Sequence, residues 1–274
     1  MNNPTPAADL ASVSFTKRRF RTAAQHYLQG RQPYASALFQ RLMQFTGTGP
    51  QSRVMDLGCG PGQIAVALAP HVGGVTAIDP EPEMLRVAAE NAAAAGLQIR
   101  FIEGSSSDLG PALGHFRLVV IGRAFHWMDR ARTLQRLDGL IEPGGAVALL
   151  GTHEPELPDN AWAKAYDPLI ESYAADDVTR RERKSPDWLR HEAVLLDSPF
   201  SRIEMIAVLE RRLTPLERFV DRALSMSSTS AARIGEKTAA LAAEVRSTLA
   251  PFAVEGMIRE VVRSGATIAW RPGG

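Results

Sequence analysis

An apolar run carrying an acid, three glycines at alternate positions and a second apolar run fill residues 54–69, and no other feature constrains the chain as much. The first run has the length of a buried strand and the second reads as a helix, so the glycines sit at a strand-to-helix turn. Gly58, Gly60 and Gly62 let the backbone bend tightly there and leave bare main chain for a ligand to press against. The following helix presents its first N–H groups toward such a ligand. Gln63 stands where a dinucleotide fingerprint has its third glycine, which sets a nicotinamide or flavin reading behind. Asp79 ends the next apolar run about 20 residues on, where a carboxylate would grip a ribose diol.

The pattern around this turn repeats. Strands are expected at 53–56, 75–78, 99–102, 117–122 and 146–150, alternating with helices at 63–69, 83–95 and 130–141, the last capped by Asp129. Gly96 suits the C-terminus of the second of these helices. Short apolar strands joined by crossover helices imply a mostly parallel sheet covered on both faces. Ahead of it, residues 1–13 read as a tail, 14–29 as a helix with a basic cluster at 17–21, and 34–45 as another helix. Beyond Gly151 the pattern changes. Residues 152–190 mix aromatics with charges as if laid over the sheet, 200–213 alternate like a strand and 215–225 read as a helix. Residues 225–230 read as a linker or loop, 231–249 as one long helix and 267–270 as a final strand.

Composition narrows the class. The 274 residues suffice for one large core, 45% are hydrophobic and 22% charged, and the formal charge is +1, all ordinary for a globular protein. A near-neutral balance offers no basic footprint for nucleic acid. No apolar run reaches membrane-spanning length, and no secretory signal stands at the N-terminus. One cysteine excludes an internal disulfide, and no His/Asp/Glu set has metal-ligand spacing, so no metal is expected and the cytoplasm is the expected setting.

Asp56, Leu57, Gly58, Gly60 and Gly62 resemble the first motif of the class I S-adenosylmethionine-dependent methyltransferases. The likeness continues through Asp79, residues 104–109, residues 119–127 and the Pro143–Gly145 turn, and the segment 27–34 resembles the small-molecule, type 11-like branch. It implies a doubly wound, mostly parallel seven-stranded Rossmann-like sheet with a helical cap, the last two strands closing it as an antiparallel hairpin. A single domain spans 1–274, with a cofactor-binding core at about 40–151 plus 200–271 and a cap at about 14–38 and 152–192. The implied reaction is in-line methyl transfer from S-adenosylmethionine, leaving S-adenosylhomocysteine, to an O, N or C atom of a small molecule.

The resemblance assigns roles residue by residue. Asp56 would help hold the methionine portion, or cap the loop amides. Gly58, Cys59, Gly60 and Gln63 would bring main chain and helix start to the cofactor. Asp79 would accept from both ribose hydroxyls; its structural alternative is a helix N-cap. Pro80, Glu81 and Met84 would border the adenine, with Met84 equally suited to the helix core. Ser106 and Ser107 fall where family members face the adenine ring, often with an Ala and an acid, which leaves the amine contact to Asp108 or main chain. Arg123, Ala124, Phe125, His126 and Trp127 leave the fourth strand at the ligand-binding edge. His126 is a candidate general base or a structural histidine; Phe125 and Trp127 would wall the methyl site or pack the core. Tyr27, Arg31 and Tyr34 would sit on an N-terminal flap, Arg31 against the cofactor carboxylate and Tyr34, His126 and Trp127 near the acceptor.

Three rivals remain: a non-catalytic S-adenosylmethionine-binding or scaffold protein, a nicotinamide-dependent oxidoreductase and a nucleic-acid methyltransferase. The second lacks a third glycine and a Tyr-x-x-x-Lys set. The third lacks the Asn/Asp-Pro-Pro-Tyr segment and a basic face.

Overall fold

The computed structural model describes residues 30–273; the expected tail 1–13, the helix 14–29 and Tyr27 lie outside the described residues. Five strands, β1 (Arg53–Leu57), β2 (Gly74–Asp79), β3 (Arg100–Glu103), β4 (Phe116–Gly122) and β5 (Ile141–His153), run parallel in the order β3-β2-β1-β4-β5. Two 14-residue strands, β6 (Arg202–Pro215) and β8 (Met257–Trp270), complete the path β5-β8-β6 with antiparallel pairing. The two-residue β7 (Ala253–Val254) pairs with β8 as well. Among the described residues the sheet is therefore mixed, and it has eight strands rather than seven. Strand order reverses between β1 and β4, which opens a crevice at their carboxyl ends.

Period-two alternation sends neighbouring side chains to opposite faces. Met55, Val119, Ile121 and Val147 join one core with α4 (Arg130–Asp138) and α7 (His191–Leu196). Val54, Leu118, Val120 and Ala148 join the other with α1 (Ser36–Thr46) and α2 (Gln63–Leu68). Beyond α2, α3 (Pro82–Ala94) connects β2 to β3. Asp129 caps α4 as expected, its carboxylate accepting from Arg132 N at 3.1 Å.

A third cluster forms the cap. Trp162, Tyr166 and Ile170 of α5 (Ala163–Tyr173) pack on Phe219 and Ala223 of α8 (Leu216–Leu224) and on Leu241 and Val245 of α10 (Thr238–Leu249). Residues 216–249, assigned to the core from sequence, thus belong with the cap helices. They also separate β6 from β8, so the last two long strands are not a hairpin, although Pro215 and Met257 pair directly. The expected long helix splits into α9 (Ala231–Ile234) and α10, because Gly235 adopts φ +55° between them. Residues 225–230 form a loop, as expected, but its Ser and Thr residues are buried. The helix α6 (Val178–Lys184) completes the cap. Among the described residues, no helix is long and apolar enough to cross a membrane.

Candidate active site

At the carboxyl end of β1, Gly58 takes φ +71° and Gly60 φ +53°, backbone that side-chain-bearing residues rarely adopt. The turn is pinned by Gly58 N and Cys59 N, which both donate to Ile78 O at 2.8 and 3.0 Å. A Cβ on Gly58 would lie 2.6 Å from Ala124 Cβ, so glycine here lets the β1 and β4 loops touch. A Cβ on Gly60 would meet nothing within 4 Å, and this glycine lines the cleft with bare main chain.

Two carboxylates hold this loop. Asp79 Oδ2 accepts from Gly60 N at 2.8 Å and Oδ1 from Glu81 N at 2.9 Å. Each oxygen keeps one lone pair for a ligand in the cleft that Asp79 lines. Asp56 lies beneath, 1% exposed, with Oδ2 accepting from Ala65 N at 2.9 Å in the first turn of α2. Its Oδ1 is buried with no hydrogen-bond partner. Burial pushes the Asp56 carboxyl up to about 7, against the hydrogen bond from Ala65 and with help from Asp79. Burial likewise raises Asp79 to about 6, opposed by the amides of Glu81 and Gly60.

The opposite wall comes from β4. Arg123 adopts φ +56°, and its guanidinium donates to Gln32 O at 2.5 Å and Thr152 Oγ1 at 2.9 Å while lying 4.5 Å from the Tyr34 ring centroid. Arg123 therefore fastens the N-terminal segment to the sheet edge. The following turn (Phe125–Trp127) sets His126 beside Trp127, ring centroids 4.8 Å apart and tilted by 48°. Burial pushes the His126 imidazole well below its ordinary range, and Arg183, His191, Arg31 and Arg130 add to the effect. His126 is thus neutral at pH 7.

One cleft of about 1000 Å³ gathers these features. The expected residues Gly58, Gly60, Asp79, Pro80 and Met84 line it at the β1/β2 end. Ser106, Ser107, Arg123 and Ala124 line it further along, as do Phe125, His126, Trp127 and Arg31, whose Nη2 donates to Ser225 O at 3.2 Å. Four assigned residues lie elsewhere. Asp56 and Cys59 are buried behind the loop, while Gln63 and Tyr34 border a smaller depression outside the cleft. The Tyr34 hydroxyl donates to Leu150 O at 3.4 Å. Asp108, offered as an adenine contact, turns back on its own loop, accepting from Ser105 N at 2.7 Å.

Several cleft residues carried no sequence motif. Gln32, Glu154 and Arg222 line it through an ion network in which Arg222 donates to Glu154 at 3.1 Å and to Glu260 at 3.0 Å. Arg180, Arg183 and His191 reach it from the cap, and Ser227 and Ser228 from the buried serine run. Among the described residues no group of three His, Cys, Asp or Glu side chains could hold a metal ion.

A glycine turn at a switch-point crevice, with an acid at the tip of the second strand, defines an α/β protein built to hold a nucleoside-bearing ligand. Residues 54–145 match the methyltransferase-domain family. A probable S-adenosylmethionine-dependent methyltransferase of Saccharomyces cerevisiae is 28% identical over 55% of this chain and 52% of its own length. An uncharacterized methyltransferase of Mycobacterium bovis is 28% identical over 80% of this chain and 82% of its own. A second one from that organism is 36% identical over 40% and 55%. The chain spans about half the length of the first and last of these curated relatives. A Geobacter sulfurreducens methyltransferase solved with S-adenosyl-L-homocysteine shares the fold, with TM-score 0.52 and 18% identity over 95% of this chain and 99% of that one. So does YjhP of E. coli, with TM-score 0.55 and 17% identity over 92% and 99%. Residues 54–145 thus match a methyltransferase domain, and the chain is similar to S-adenosylmethionine-dependent methyltransferases.

Proposed function

We propose that this protein transfers a methyl group from S-adenosylmethionine to a small molecule held under the cap. The observation that carries this reading is Asp79, which fastens the glycine loop with one lone pair on each oxygen and keeps the other two for the cleft. Two vicinal hydroxyls match that pair of acceptors. The bare main chain at Gly60 admits close approach, and Asp56, buried behind the loop, has one oxygen, Oδ1, without a hydrogen-bond partner. The residues present thus fit the cofactor. When bound, S-adenosylmethionine supplies a methyl group already activated on a sulfonium.

The chain's own contribution is positioning and exclusion of water. Asp79 and the glycine loop hold the nucleoside, and Arg31 lies in reach of a carboxylate. Phe125 and Trp127 wall the next stretch. His126, kept neutral, is in the state that accepts a proton if the acceptor must lose one. A small acceptor is supported by the cap helices over the cleft and by the near-neutral charge of the chain. A nicotinamide reading is disfavoured by Gln63, whose place is outside the cleft.

Thermal unfolding tests this. S-Adenosylhomocysteine at 100 times its Kd is expected to add about 2.7 kcal/mol of stability, seen as a rise in Tm, while NADH leaves Tm unchanged. A rise with NADH alone would overturn the reading.

A further inference from the structure

Where β5 runs out under the cap, the cleft is lined by hydrogen-bonding groups that the protein leaves unused. Gln32, 7% exposed, donates its Nε2 hydrogens to Glu154 Oε1 at 2.7 Å and to Glu260 Oε2 at 3.2 Å. Two carboxylates on one nitrogen set the orientation of the amide and turn its Oε1 away from them. Among the described residues no donor reaches that oxygen, and Gln32 lines the cleft.

Glu154, the residue after β5, is divided in the same way. Its Oε1 accepts from Gln32 and, at 3.1 Å, from Arg222 Nη1, while among the described residues nothing donates to Oε2. Glu154 lines the cleft as well. Ser227 and Ser228, both more than nine-tenths buried, reach the cleft from the loop after α8. That loop is tied to the same network, Ser225 Oγ donating to Arg222 O at 2.8 Å. The Ser227 and Ser228 hydroxyls bond to none of the described residues, although their burial leaves them little but the cleft to face. Buried polar groups are rarely left without partners, so this cluster marks a place for a ligand's donors.

Charge decides the kind of donor. Arg31 Nη2 donates to Ser225 O at 3.2 Å and Arg123 Nη2 to Gln32 O at 2.5 Å, so both cations lie beside the network. With Arg222 they already accompany Glu154 and Glu260, and nothing here calls for an ammonium. Glu260 and Arg263, three apart on β8, point to opposite faces of the sheet, which sets Arg263 apart from the cluster. A carboxylate would meet lone pairs at Gln32 Oε1 and Glu154 Oε2 and be repelled. A neutral hydroxyl has neither fault, and its O–H can donate to either oxygen.

We propose that the acceptor carries hydroxyl groups, donated to Glu154 Oε2 and Gln32 Oε1, with Ser227 and Ser228 as further partners. This deepens the methyltransferase reading and rests on it for calling the bound molecule an acceptor.

Binding tests this directly. Calorimetric titrations of the full chain saturated with S-adenosylhomocysteine would use resorcinol, 4-hydroxybenzyl alcohol and hexane-1,2-diol, each against its dimethyl ether, and benzylammonium as the cation. At least one hydroxyl compound is expected to bind about tenfold tighter than its ether, with no heat from benzylammonium. Glu154→Gln places an amide N–H where the cleft-facing acceptor stood, and it is expected to reduce that preference several-fold with S-adenosylhomocysteine affinity unchanged. The double variant Ser227→Ala, Ser228→Ala carries the same expectation through neutral groups and serves if Glu154→Gln misfolds, which near-ultraviolet circular dichroism reads. Hydroxyl compounds no tighter than their ethers in every pair, absent binding included, benzylammonium binding as tightly as the best of them, or a preference that survives in a folded variant, would overturn the hydroxyl site. Weakened S-adenosylhomocysteine binding in Glu154→Gln would assign Glu154 to the cofactor and overturn it too. Failure of S-adenosylhomocysteine to bind the parent protein would instead overturn the methyltransferase reading, and it is read in a separate titration.

Discussion

Replacing Asp79 with alanine is expected to weaken S-adenosylhomocysteine binding by about 1–3 kcal/mol, roughly 5- to 150-fold in Kd. The substitution removes the two cleft-facing lone pairs and leaves the amides of Gly60 and Glu81 without their acceptor. Asparagine does not rescue it fully, because its NH₂ would face one of those two N–H donors. The fold should survive. Burial raises the Asp79 carboxyl from 3.8 to about 6, so the group's contribution to stability is present at low pH and lost as pH rises through that interval. Above pH 6 the ionised, buried group no longer stabilises the fold. Ligand binding runs with the opposite sign. A diol donates to the ionised carboxylate, so affinity should fall as pH drops below about 6 in the parent protein. Asp56, at about 7, adds the same trend slightly higher. Calorimetry from pH 5 to 8 on both proteins checks this, and an Asp79→Ala affinity equal to the parent's would remove Asp79 from the site.

Glu260→Ala should cost more, about 3–5 kcal/mol of folding stability. Glu260 is 1% exposed and gathers Arg222 Nη1 and Nη2 at 3.0 Å each, Thr214 Oγ1 at 2.6 Å and Gln32 Nε2 at 3.2 Å. Arg222 is itself buried, stacks 4.3 Å from the Phe219 ring centroid and would keep only Glu154 as partner. The network joins β6, β8, α8, the end of β5 and the N-terminal segment, so its loss loosens the cap on the sheet. Replacing Arg222 and Glu260 together with apolar residues of similar volume should recover most of the stability, since no unpaired charge is left. Urea midpoints measure both, and a single-variant loss below about 1 kcal/mol would show the network to be dispensable.

The same network explains where the sequence misled. β1 to β4 were legible to within a residue or so because buried parallel strands are apolar runs bounded by glycines and acids. Only the last four residues of β8 were legible, since Arg259, Glu260 and Arg263 break the apolar pattern and the burial of Glu260 rests on Arg222, far away in sequence. β5 was read too short because Pro143–Gly145 signals a turn, whereas the strand runs through it with a register shift against β4. The serine run at 225–230 is the loop its composition suggested, but its burial was not legible from its hydroxyls. In the fold two of these hydroxyls bond locally, Ser225 Oγ donating to Arg222 O at 2.8 Å and Thr229 Oγ1 to Ala223 O at 2.5 Å. The nucleoside end of the site was legible because one loop and one acid build it. The end under the cap was not, because Gln32, Glu154 and Arg222 meet only through tertiary packing.

Isothermal titration of the protein with S-adenosylhomocysteine, beside NADH, tests the central claim most directly. One site per chain for S-adenosylhomocysteine with micromolar affinity, and no heat from NADH, is the predicted result. Binding of NADH, or of neither ligand, would contradict the assignment of this cleft to methyl transfer.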